Sequence, residues 1–307
     1  ENDNGEFNGP MRLREALYRS RNLVSIRIMR ALGIEQARAY MLRFGFEPDN
    51  LPANLSLSLG SASATPLQIA RGYAAIANGG YLVDPYLISR IESAEGDILE
   101  QASPAIVCRE CVSPEVTDTP EGESLTEPNT PTAPPAEPAE TDRSIAPRII
   151  SERNAFLIYD VMRDVITRGT GTRARVLERT DLAGKTGTTN EQKDTWFSGF
   201  SPDLVTTVWV GFDQPAPLGR GEYGSSTALP IWIDYMEEAL DGLPDNPPAA
   251  PEGVVRVRID PDTGLRAWPG QNNAISEYFR TEDVPTETAR SPEQQMQAPP
   301  TEAIFGY

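Results

Sequence analysis

Residues 183–190 read Ala-Gly-Lys-Thr-Gly-Thr-Thr-Asn, AGKTGTTN. How its lysine is read decides the fold. Gly-Lys-Thr is what a phosphate-binding loop offers, but that loop needs G-x-x-x-x-G-K-[ST] between a strand and a helix. With Gly184 as the second glycine, the first falls on Arg179. The residues after Lys185 are glycine and threonine, poor helix openers that suit a strand or tight turn. The segment is read as a strand carrying a lysine between hydroxyl side chains, not as a nucleotide loop.

Two neighbouring runs support a sheet. TWFSGF (195–200) and LVTTVWVGF (204–212) are rich in β-branched and aromatic residues, and Ser201-Pro202-Asp203 between them is a hairpin turn. A helix precedes the sheet: Ser151 caps ERNAFLIYDVMRDVITRG, and a Gly/Thr loop, GTGTRARV (169–176), follows. A further amphipathic helix is expected over 229–242.

The first hundred residues are helical in pattern. Residues 10–32 carry two apolar faces with polar Ser20-Arg21-Asn22 at their junction, and a second helix is expected over about 35–43. Thr65-Pro66 opens another helix that stops at Gly79-Gly80. Extended chain with a turn at Glu95-Gly96-Asp97 follows. Residues 112–146 are dominated by Pro, Glu, Thr and Ala and are expected to form a disordered insertion, too poor in large apolar groups to offset ordering entropy. From about 246 the chain is again Pro-rich and acidic. A small hairpin is expected around Pro261-Asp262-Thr263-Gly264, with disorder over the last thirty or so residues. The implied organisation is 1–111, an insertion at 112–146, 147–245, and an extension at 246–307.

Composition narrows the chemistry. A net charge of -18 argues against a nucleic-acid partner. No apolar run is long enough to span a bilayer and no signal peptide is read; the start, Glu-Asn-Asp-Asn, reads as part of a longer polypeptide. There is no histidine, which removes Ser-His-Asp triads, Cys-His pairs and H-E-x-x-H zinc sites. Acid–base work falls to Lys, Asp, Glu, Tyr or Cys, and only Lys185 and Lys193 are lysines. Cys108 and Cys111 are too few for a structural zinc site, leaving a local disulfide or two free thiols. No metal or cofactor is expected.

Taken singly, Ser20 and Asn22 are also good helix caps, and K-T-G a good surface turn. Taken in order, Ser20-Arg21-Asn22 and Lys185-Thr186-Gly187-Thr188 resemble the S-x-N and K-T-G motifs of the transpeptidase domain of class A penicillin-binding proteins, closest to the 1A type. RLREAL, GSASATPLQIARGYAAIANGG, GTGTRA, KDTWFSGF, the Cys pair and VRIDPDTGLRA add to the resemblance, which runs from about residue 9 to 280.

The resemblance implies an α+β fold of the penicillin-binding-protein and serine β-lactamase type: an antiparallel sheet packed with helices, incomplete at its N-terminus, with disordered acidic Pro-rich segments. It implies peptidoglycan D,D-transpeptidation through a serine acyl-enzyme, in a parent that also carries glycosyltransferase activity and faces the periplasm from the inner membrane. Partners would be acyl-D-Ala-D-Ala stem peptides and β-lactams. Ser20 would relay a proton to the leaving group, Asn22 would hold the substrate amide and Lys185 would supply positive charge. Thr186 and Thr188 would bind the substrate carboxylate, and Gly187 would let the substrate backbone approach. The family's nucleophile lies in S-x-x-K, but the residues three before Lys185 and Lys193 are Leu182 and Asn190. The chain taken alone is therefore expected to be inactive. Two other readings remain: a non-catalytic periplasmic interaction module, and a related D,D-carboxypeptidase or β-lactamase.

Overall fold

The structure is a computed structural model that describes residues 9–109, 111 and 144–297. These fall into two compact units, one over Leu13–Pro248 and a smaller one that joins Gly9–Arg12 to the chain from Ala249 onward.

In the larger unit, α1 (Leu13–Tyr18), α2 (Asn22–Leu32) and α3 (Ile34–Leu42) lead to α4 (Pro66–Ala77). Thr65 opens α4 with a capping box: its hydroxyl accepts from Gln68 N–H while the Gln68 side chain accepts from Thr65 N–H. A short antiparallel hairpin, β1 (Arg90–Glu92) and β2 (Ile98–Gln101), turns at Glu95–Asp97 as its sequence predicts. The expected insertion lies largely outside the described residues. Its flanks are held together, since Ile106 N–H donates to Ser144 O at 3.0 Å and Ala146 N–H to Ile106 O at 2.9 Å. Cys108 and Cys111 form a disulfide.

Ser151 caps α5 (Glu152–Arg168) by accepting from Asn154 N–H. The Gly/Thr segment after α5 is not wholly loop: Thr172–Leu177 coil into a 3-10 helix, with Ala174 buried against the core. Then comes the sheet, β3 (Ala183–Thr188), β4 (Asp194–Phe200) and β5 (Val205–Gly211), antiparallel in that order, with β3 at an edge. A π-helical turn over Gly224–Ala228 leads into α6 (Leu229–Ala239).

Strand alternation builds two cores from one sheet. Phe197 points to one face, against Trp232, Met236 and Leu229 of α6. Phe200, of opposite parity, points to the other, against Tyr159 and Met162 of α5 and Tyr73 of α4. Trp232 and Phe197 pack edge-to-face at 4.9 Å between centroids, and both are fully buried. Both faces of the sheet that carries the K-T-G strand are thus helix-covered, and no strand pairs with the outer edge of β3 among the described residues.

In the smaller unit the expected small hairpin around Pro261–Gly264 is formed: Ile259 bridges Arg266, Asp260 N–H donates to Leu265 O at 2.9 Å and Ala267 N–H to Arg258 O at 3.0 Å. Over its length β6 (Val254–Ile259) pairs with β7 (Ile275–Arg280). One expectation is corrected: order does not stop some thirty residues from the end. β7, a 3-10 turn at Thr281–Asp283 and α7 (Pro292–Gln297) are formed. The stretch Ile275-Ser276-Glu277-Tyr278-Phe279-Arg280 shows no apolar–polar alternation and lies among acidic, proline-rich residues, so its strand is not marked in sequence, yet it pairs with β6 residue for residue.

Candidate active site

Ser20 stands at the end of α1. Ser20 N–H donates to Leu17 O at 3.0 Å and Arg21 N–H to Ala16 O at 2.8 Å, which is the pairing of a Schellman helix stop. That motif needs a left-handed residue, commonly glycine, and Ser20 fills it at φ 54°. Ser20 is therefore not the cap of α2. Arg21 occupies that position and makes no side-chain cap. The serine hydroxyl is turned instead toward the sheet.

Lys185 meets it. Its Nζ donates to Ser20 Oγ at 2.6 Å and to Thr186 O at 3.0 Å. Burial of the ammonium among neighbouring atoms lowers its pKa from 10.5 to about 8. The direction follows from desolvation: its hydrogen-bond acceptors are a hydroxyl and a main-chain carbonyl, neither of which carries a charge to hold the ammonium.

The main chain of β3 is sorted by the ladder. Thr188 pairs with Thr195, and Thr189 N–H donates to Asp194 O at 3.0 Å. Antiparallel alternation then turns the backbone groups of Lys185 and Gly187 toward β4, and those of Thr186 and Thr188 off the open edge. The Thr188 N–H is thus aimed at the same side that Ser20 borders. Gly187 sits where a Cβ would stand 3.1 Å from Trp196 Cβ.

Two contacts hold the threonine hydroxyls. Thr188 Oγ1 accepts from Gly224 N–H at 3.0 Å, which leaves its own proton free to donate. Thr186 Oγ1 lies 2.7 Å from Thr170 Oγ1. Gly224 can approach only as glycine, since a Cβ there would stand 2.4 Å from Trp196 O and 2.5 Å from Gly187 O. Asn22 opens α2, half-buried, and no hydrogen bond joins it to the K-T-G strand among the described residues. Thr170 and Gly224 are site neighbours that sequence reasoning left without a role. Thr170 lies in the Gly/Thr segment 169–176 that the sequence marks, whereas nothing local marks Gly224.

The turn bearing Ser20 is anchored from behind. Arg14 on α1 donates to Asp160 O at 3.1 Å, to Asp164 Oδ2 at 3.0 Å and to the Asp160 carboxylate, all on α5. Burial raises the Asp164 carboxyl, but hydrogen bonds from Arg168 and Arg14 outweigh it and hold its pKa below 3.8. No group of three or more metal-ligating side chains occurs among the described residues.

An amino and a hydroxyl group 2.6 Å apart, beside an open strand edge with an N–H and a free hydroxyl proton, can bind a carboxylate and move a proton. Comparison with known proteins agrees in class. The penicillin-binding protein transpeptidase domain matches residues 1–237, and the chain belongs to that family. The C-terminal domain of penicillin-binding protein 1A matches residues 250–292. Penicillin-binding protein 1A of Pseudomonas aeruginosa is 50% identical over 299 residues, 93% of this chain and 36% of that protein. The crystal structure of penicillin-binding protein 1A from Haemophilus influenzae superposes with a TM-score of 0.82 at 39% identity, covering 94% of this chain and 43% of that one. PonA1 of Mycobacterium tuberculosis in complex with penicillin V shares the fold, with a TM-score of 0.57 at 24% identity, over 81% of this chain and 61% of that one. The chain spans about a third of the length of its Pseudomonas relative.

Proposed function

We propose that this chain is the part of a peptidoglycan D,D-transpeptidase that carries the S-x-N and K-T-G motifs, within a bifunctional class A penicillin-binding protein. The observation that carries the reading is the Lys185 Nζ–Ser20 Oγ hydrogen bond, which joins the two motifs across the fold. A hydroxyl cannot acylate unaided and needs a base. In this family that serine and its lysine lie in S-x-x-K, which this sequence does not contain.

The chain's own residues supply the rest. Lys185 places positive charge where a substrate carboxylate would lie, and its tie to Ser20 gives the proton of the departing amine a path through the Ser20 hydroxyl. Thr188 donates its free hydroxyl proton to that carboxylate, with Thr186 beside it. The Thr188 N–H, aimed off the open edge, forms half of an oxyanion hole. Gly187 keeps the strand edge bare, so an acyl-D-Ala-D-Ala peptide can lie along β3 as an added strand. Asn22 holds the substrate amide. β-Lactams, as a carboxylate and a strained amide in one rigid body, would lie against the same strand edge; the relative solved with penicillin V supports this. No helix among the described residues is long and apolar enough to cross a membrane, and we place the parent at the periplasmic face of the inner membrane through other segments.

Intact mass after incubation with a penicillin tests the reading. An adduct on the chain extended upstream, and none on residues 1–307 alone, is expected. No adduct on either would favour a non-catalytic module.

A further inference from the structure

Thr170 has no role in the scheme above, yet it touches both halves of the site. Its N–H donates to Tyr18 O at 3.2 Å, two residues ahead of Ser20, and its hydroxyl lies 2.7 Å from Thr186 Oγ1. The loop cannot drift. Gly171 N–H donates to Val165 O at 2.8 Å. At Gly169 a Cβ would stand 2.5 Å from Tyr18 O and 2.8 Å from Val165 Cα, so only glycine lets the loop lie against the Ser20 turn.

We infer that Thr170 is a positioning residue that sets the spacing between the Ser20 turn and the Lys-Thr-Gly strand and orients the Thr186 hydroxyl. One arm of Thr170 is fixed by the main chain of the turn and the other by the strand. The two hydroxyls share one internal hydrogen bond, so only one of the pair spends its proton on the other. When a carboxylate arrives at the strand, Thr170 donates to Thr186 and the Thr186 proton turns to the carboxylate. Without the Thr170 hydroxyl the strand keeps only the Lys185–Ser20 link to the turn, and Thr186 loses the partner that orients its hydroxyl. The inference rests on the transpeptidase reading for its substrate, but not for the spacing.

The test compares Thr170→Val, which keeps the shape and removes the hydroxyl, with Thr170→Ser, which keeps it. In the full-length protein the second-order rate of acylation by a penicillin should fall about 10- to 100-fold in Thr170→Val, the loss typical of a slightly misplaced group. Thr170→Ser should recover to within about threefold of wild type. In the present chain, the Lys185 Nζ resonance should shift in Thr170→Val and match wild type in Thr170→Ser. An unchanged acylation rate in Thr170→Val, or a Thr170→Ser as slow as the valine variant, overturns the proposal. So does an unmoved Lys185 resonance, whether or not the wild type acylates. A wild-type full-length protein that forms no adduct sinks the transpeptidase reading alone, and the resonance then decides the spacing.

Discussion

Lys185 and Ser20 stand 165 residues apart in sequence and 2.6 Å apart in space, ammonium to hydroxyl. One lies on a sheet edge and the other in a helix stop. The first expectation concerns this pair. In the protein extended upstream, Lys185→Ala should slow acylation by a penicillin by two orders of magnitude or more, the scale of losing a preorganised charge. The melting temperature should hold within a few degrees, because Lys185 is half-buried and its removal leaves no carboxylate unpaired. Stopped-flow acylation beside a thermal melt checks both.

The same lysine gives a pH signature. Its folded pKa of about 8 lies below the ordinary 10.5. Between those values the unfolded chain holds a proton that the folded chain has released, so folding stability rises with pH across that window and is flat below it. Lys185→Met should lack this rise. The chain has only one other lysine, Lys193, so selective lysine labelling leaves two resonances to follow by NMR. A Lys185 midpoint near 10.5 would refute the burial argument.

Arg14 ties the helix that ends in Ser20 to α5. Arg14→Met should cost about 3 kcal/mol, since it strips a guanidinium from two buried carboxylates. Asp164 keeps Arg168, which limits the loss. The Asp164 share of stability is complete above 3.8 and disappears as the pH falls through its lower folded value. Urea unfolding of wild type and Arg14→Met at pH 7 and in acid tests this; the difference between them should shrink in acid.

The flanks at Ile106 and Ala146 meet through main-chain hydrogen bonds of their own. Replacing residues 114–143 by a four-residue linker should leave the melting temperature unchanged or slightly higher. Loop-closure entropy changes by only about 0.6 kcal/mol per doubling of length. A drop of ten degrees in a thermal scan would show that the segment packs against the domain.

Much of the site was legible locally. Lys-Thr-Gly-Thr on a strand, its hairpin neighbour and the caps at Thr65 and Ser151 follow from period, β-branching and capping chemistry, which act over a few residues. The motif marks Ser20 but not its conformation. Its residue type fits a cap, whereas the helix stop and the lysine give it a left-handed backbone and a turned hydroxyl. β7 is not legible locally because its six residues lack alternation, sit among prolines and acids, and are paired only through the ladder that β6 offers.

By itself, then, the sequence determined which chemical groups this chain can bring to the site: no imidazole, two lysines, and one of these between hydroxyls on a strand. Tertiary structure alone decided which of them meet. The order of strands puts β3 at an open edge, and two helix-packed cores hold it there. The Gly169 and Gly224 contacts admit Thr170 and the Gly224 N–H to that edge. Such meetings depend on backbone approaches between segments far apart in the chain, and no local preference encodes them.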